Sequence, residues 1–163
     1  MSRHTCSLIL GLALGYTALG HTAQARTPGI GVGATLGEPI SLTGSYRVDD
    51  KLAAQGLLGW SFGQRQLHIS VDGVYDLLEI PSDEAMGFSY PVYLGGGLRI
   101  RAGHPKGAPN RPGATLGLRL PMGVGVVPDA SPVEVFFEIV PVLVFVPLVE
   151  GGVDATLGGR VFF

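Results

Sequence analysis

The sequence predicts an all-β chain folded as an eight-stranded antiparallel up-and-down transmembrane β-barrel. Three observations carry that expectation. Apolar residues alternate with polar or small ones, at the two-residue period of a strand, in eight successive segments. Turn formers separate these segments, and 26 glycines and 12 prolines in 163 residues disfavour long helices. The hydrophobic fraction, 46%, is far above that of a solvated disordered chain. Strands that are aliphatic on one face and mixed polar on the other suit a wall between lipid and lumen.

The first segment, Gly29–Thr35, places Ile30, Val32 and Ala34 on one face, and Gly37-Glu38-Pro39 breaks it. It is short for a span unless it extends back through Thr27 or forward through Leu36. The second, Ile40–Val48, sets Ile40, Leu42, Gly44, Tyr46 and Val48 against Ser41, Thr43, Ser45 and Arg47, and ends in the polar turn Asp49-Asp50-Lys51. The third, Ala53–Phe62, turns Ala54, Gly56, Leu58, Trp60 and Phe62 outward, and Gly63–Gln66 closes its hairpin. In the fourth, Leu67–Leu77, the aliphatic face opposes His68, Ser70, Asp72, Val74 and Asp76. A longer connection, Leu78–Ser89, is expected next.

The fifth segment, Tyr90–Arg101, opposes Val92, Leu94, Leu98 and Ile100 to Tyr93, Gly95, Gly97, Arg99 and Arg101. Gly103–Gly113 is the most loop-like stretch. The sixth, Ala114–Val127, sets alternate leucines, Met122, Val124 and Val126 against Gly117, Arg119, Gly123 and Gly125, and Pro128–Pro132 forms a turn. The seventh, from Val133 to about Phe145, lies in an almost wholly apolar run reaching Val149 that also suits a membrane helix. Pro141 decides against the helix, since an interior proline costs it about 3 kcal/mol. As a strand the same residues turn Val133, Val135, Phe137, Ile139, Leu143 and Phe145 outward and Glu134 and Glu138 inward. Pro141 removes one ladder hydrogen bond, so a bulge or local weakness is expected there. The eighth segment, Val153–Phe163, ends the sequence on an aromatic residue.

At the other end, Arg3 and His4 precede the apolar stretch Leu8–Leu19, and Ala23-Gln24-Ala25 has the small-x-small form of a cleavage site. Residues 1–25 therefore read as a cleaved signal peptide, and 26–163 as one barrel domain. Cys6 leaves with the signal peptide, which excludes disulfides and thiol chemistry from the mature domain. Without Arg3 the 11 basic residues become ten against 13 acidic ones, so no basic excess exists to neutralise nucleic-acid phosphates.

The inward faces collect ten charges: Arg47, Asp72, Asp76, Arg99, Arg101, Arg119, Glu134, Glu138, Asp154 and Arg160. Eight strands enclose little more than their own side chains, and buried charges are unfavourable unless paired. A matched, closed network is expected, with arginines of the fifth and sixth segments facing glutamates of the seventh. The inward glycines Gly95, Gly97, Gly117, Gly123 and Gly125 would leave room for the arginines. The same charges also suit a small ion-conducting path, or a small-anion site between Arg99, Arg101 and Arg119.

Catalysis finds little support. His68, Ser70 and Asp72 share a face at about 7 Å spacing, loose for a hydrogen-bonded triad. His104 stands in a loop without a second metal ligand nearby, and Gly95-Gly96-Gly97 lies within a strand rather than opening a helix. No catalytic residue, metal or cofactor is assigned, and the chain is not expected to be an enzyme.

Phe163, Val161 and Gly159, the last residue and those two and four before it, resemble the C-terminal assembly signal of bacterial outer-membrane barrels. With the signal peptide and the amphipathic strands, residues 26–163 resemble small eight-stranded outer-membrane β-barrel proteins of the OmpA/OmpX type. Gly37-Glu38-Pro39, Gly44-Ser45-Tyr46, Asp49-Asp50-Lys51 and Gly56–Gly63 also resemble an uncharacterised bacterial family of such barrels, from which no activity carries over. The resemblance implies Gram-negative outer-membrane lipid and the barrel-assembly machinery as partners, and periplasmic termini. Thr35–Pro39, Gly63–Gln66, Gly103–Gly113 and Pro147–Gly152 would then be external loops. Tyr46, Trp60, Phe62, Tyr75, Tyr90 and Phe163 would furnish interfacial girdles. A soluble periplasmic barrel of lipocalin type, enclosing a small apolar ligand, has the same alternation with its faces inverted. Positive mean hydropathy, scarce lysine and Phe163 favour the membrane.

Overall fold

The computed structural model describes residues 29–81, 87–103 and 113–163. The signal-peptide segment with Cys6, and the loop stretch that holds His104, lie outside the described residues. Nine strands follow in order: β1 (Ile30–Gly37), β2 (Ile40–Arg47), β3 (Leu52–Ser61), β4 (Gln66–Pro81), β5 (Phe88–Ala102), β6 (Ala114–Arg119), β7 (Met122–Pro128), β8 (Val133–Val146) and β9 (Glu150–Phe162). All pairings are antiparallel, and β9 pairs back onto β1, so the sheet closes into a ring. Following paired residues from Gly33 through Thr43, Leu57, Ser70, Arg99, Gly117 and Val144 leads to Glu150, beyond the part of β9 that meets β1. This stagger is the strand tilt that closing a barrel requires.

One expected strand is divided. The sixth segment, expected as Ala114–Val127, is β6 and β7, end to end between β5 and β8 with Leu120 and Pro121 between them. Its register is continuous across the gap: Arg119 pairs with Val142 and Met122 with Ile139 on one side, Gly97 with Arg119 and Leu94 with Met122 on the other. The cause is proline on both flanks. Leu120 N–H donates to the Pro141 carbonyl and Gly95 N–H to the Pro121 carbonyl, but neither proline has an N–H to return. Each pair keeps one of its two bonds. The weakness expected at Pro141 thus falls between β8 and its neighbour. β8 itself runs through Pro141 without a bulge, in unbroken register with β9.

The long connection Leu78–Ser89 is also corrected. β4 continues to Pro81 and β5 begins at Phe88, with Leu78 opposite Val92 and Ile80 opposite Tyr90. A register shift between Asp76 and Leu78 leaves Leu77 and Leu78 both exposed. A bulge of this kind interrupts the alternation that marks a strand in sequence. The first strand extends forward, through Leu36 to Gly37, and is eight residues long.

Both described ends of the chain lie at one mouth of the ring, where Phe163 N–H donates to the Ile30 carbonyl. The β2–β3 turn is at the same mouth. There Asp49 Oδ1 accepts the N–H groups of Lys51 (2.8 Å) and Leu52 (2.7 Å), which hold its carboxyl below the usual carboxylate range. The charged form is therefore favoured by folding. Its contribution is present above the ordinary aspartate pKa and is lost as pH falls through the folded value. Thermal unfolding midpoints measured against pH should show a shallower acid limb in Asp49→Ala than in the parent chain.

The ring is apolar outside and polar inside. Leu42, Phe62, Val71, Leu98, Leu118, Ile139 and Leu157 are among many large apolar side chains exposed on its outer surface. The interior instead holds buried arginines, carboxylates, serines and threonines, with Phe136, Val140, Val142 and Val144 as apolar filling.

Candidate functional site

The chemistry of this chain is concentrated in its interior. Alternation along tilted strands brings all ten expected charges to the inward face: Arg47, Asp72, Arg99, Arg119, Glu134, Glu138 and Arg160 are buried, and Asp76, Arg101 and Asp154 half-buried. They form a ladder of ion pairs along the bore. At the terminal mouth Arg47 Nη1 meets Asp76 Oδ2 at 2.9 Å and also donates to the Asp50 carbonyl. Next comes Arg160, with Glu134 at 3.7 Å and Glu138 at 3.8 Å. Arg119 follows, its Nε 3.3 Å from Asp72 Oδ1 and its Nη1 bonded to the Ser70 hydroxyl. Towards the opposite mouth Arg99 pairs with Asp154.

The partners differ from those expected. Glu134 and Glu138 face Arg160 of β9, not Arg99 of β5 or Arg119 of β6, which find Asp154 and Asp72 instead. Cross-strand register is the reason: Glu134 lies directly opposite Arg160 on the neighbouring strand, and Asp72 and Arg119 flank the same residue, Gly97, whereas the sequence expectation matched strands by order alone.

The Arg160 cluster is the most elaborate. Glu138, fully buried, accepts from the Tyr93 hydroxyl at 2.9 Å and from Gln55 Nε2 at 3.2 Å. Gln55 Oε1 accepts in turn from Arg160 Nη2 at 2.7 Å. The guanidinium lies 3.9 Å from the centre of the Phe136 ring, a cation–π contact. Charge, hydrogen bonds and ring stacking therefore converge on one arginine. Gln55, Phe136 and the Tyr93 hydroxyl had no assigned role in the sequence reading, although alternation places all three inward.

The inward glycines serve different neighbours from those expected. A Cβ on Gly123 would strike the Tyr93 ring, one on Gly158 the Phe136 ring, and one on Gly97 the Asp72 side chain and the β4 backbone. A Cβ on Gly125 would meet Glu134 Oε1 at 2.9 Å. The space is taken by aromatic rings and carboxylates rather than by arginines.

His68, Ser70 and Asp72 lie in line but do not form a relay. Both ring nitrogens of His68 are buried without a hydrogen-bond partner, and Ser70 is engaged by Arg119. Beside His68 lies a cavity of about 20 Å³ lined by Ser41, Ser70, Arg99, Arg119, Asp154 and Thr156 among others. It has room for about one water.

Val161 and Phe163, the residues of the expected assembly signal, are both exposed on the outer surface at the terminal mouth. Tyr46, Tyr75 and Phe88 are exposed near that mouth, and Trp60, Phe62 and Phe145 near the other. No protein-family model, curated protein or solved structure matches this chain.

Proposed function

We propose that this chain is an integral outer-membrane β-barrel of a Gram-negative bacterium, with a closed, salt-bridged lumen and a structural or interaction role. The carrying observation is the inverted polarity of the ring. Leucine, isoleucine, valine and phenylalanine cover the outside, while seven charged side chains are buried within. Lipid is the solvent that stabilises such an exterior. A lipocalin-like barrel calls for the opposite arrangement, an apolar cavity beneath a hydrated surface.

On this reading β6 and β7 are one membrane strand, and the barrel has eight. An even number puts both termini on one side, the periplasm for this class of barrel, after removal of the signal peptide. The barrel-assembly machinery would engage β9 through Val161 and Phe163. The ion-pair ladder serves as a plug, since it fills a bore just wide enough for side chains.

Two experiments test the reading. Expressing cells are fractionated, and the outer-membrane fraction is run on detergent gels with and without boiling. An outer-membrane band whose mobility shifts on boiling is expected; a soluble periplasmic band without a shift would overturn the membrane assignment. For the plug, planar-bilayer recordings of the parent chain should show no steady conductance. Steady current that disappears in Arg119→Ala or Glu138→Ala would identify a conducting path instead.

A further inference from the structure

We infer that the ring interior binds a single monoatomic anion, a halide, in the cavity bounded by His68, Thr156, Arg99 and Arg119. The site lies inside the ring and does not depend on what surrounds the outer face. Size limits the ligand: about 20 Å³ admits one water-sized particle and excludes sulfate or phosphate.

Unspent donors line the cavity. His68 and Thr156 are 8% and 5% exposed, yet the His68 ring nitrogens and Thr156 Oγ1 have no hydrogen-bond partner. A neutral imidazole carries one N–H and the threonine one O–H, so each can donate to an anion.

The charge balance then selects an anion over water. Arg99 is paired with Asp154 and Arg119 with Asp72. The third arginine of the group, Arg101, is the direct cross-strand partner of His68. No ion pair of Arg101 occurs among the described residues, and its Nε is buried without a hydrogen bond. Three cations against two carboxylates leave one positive charge in this half of the bore. Arg101 is half-buried, so its charge is only partly hydrated and favours a counter-charge within the bore. Water would satisfy the donors but not the charge.

The test is the chloride-35 NMR line width with the full chain folded in detergent micelles. Ionic strength is held constant with gluconate, too large to enter. Saturable broadening is expected, displaced by bromide and not by sulfate. His68→Phe fills the cavity and should abolish the broadening. Arg101→Gln removes the uncompensated charge without breaking an ion pair, and should weaken apparent affinity about tenfold, the scale of one partly screened charge. Broadening that is absent, that sulfate displaces equally, or that Arg101→Gln leaves unchanged would overturn the proposal and leave a water in the cavity. If His68→Phe does not fold, the Arg101→Gln and sulfate measurements decide alone.

Discussion

Arg160→Met should destabilise the folded ring by about 3–5 kcal/mol, the usual cost of removing one partner from a buried ion pair. Arg160 is 5% exposed and is the shared cation of Glu134 and Glu138, which are 2% and 0% exposed. Removing it takes the shared cation from two carboxylates on the same face of β8 and frees Gln55 Oε1 and the Phe136 ring face. Methionine matches the arginine stem in length, so the loss is one of charge and hydrogen bonds more than of volume. A companion variant separates these causes. Arg160→Met combined with Glu134→Gln and Glu138→Gln removes the stranded charges and should recover most of the loss, because neutral replacement of a whole buried network is often tolerated. Urea midpoints of the folded form measure both. A single variant as stable as the parent would mean that the Arg160 cluster does not hold the strands together.

Gly33→Ala should prevent the ring from closing. Gly33 sits in β1 opposite Arg160 of β9, at the seam where the two ends of the sheet meet. A Cβ there would fall on the Gly159 carbonyl oxygen and stand 2.8 Å from Arg160 Cα. The colliding atoms are backbone, so no side-chain rotation relieves the clash. Overpacking commonly costs about 1–3 kcal/mol, and here the strain falls on the pairing that closes the sheet. The folded band on unboiled gels should largely disappear. Gly44→Ala is the control: it lies on the outer face of β2 with nothing within 4 Å of a Cβ, and should leave the folded band intact.

Much of this fold is legible in the sequence because a strand writes its two faces at a period of two. Ile40–Arg47, Leu52–Ser61 and Val133–Val146 begin or end within two residues of the expected bounds. All ten inward charges follow from the same alternation. What was not legible has physical causes. The bulge after Asp76 hides the last part of β4, since two adjacent exposed leucines look like the end of a strand. The gap at Leu120–Pro121 depends on Pro141 in another segment as well as on Pro121, and only pairing reveals it. The ion-pair partners depend on the register between strands, which no single segment contains. Hence the residues of the interior could be named from sequence, but Arg160 could not be singled out from the other four arginines.

The central claim is that the aliphatic outer face meets lipid, and Trp60 reports on it directly. It is the one tryptophan of the chain, and it is 42% exposed on the outer face of β3, close to the mouth opposite the termini. The decisive measurement is its fluorescence in bilayers with bromine atoms placed at defined depths on the acyl chains. Strong quenching, greatest for bromines near the headgroup end, with little quenching by aqueous iodide, is the predicted result. Efficient quenching by iodide with none by brominated lipid would place this face in water and contradict the account.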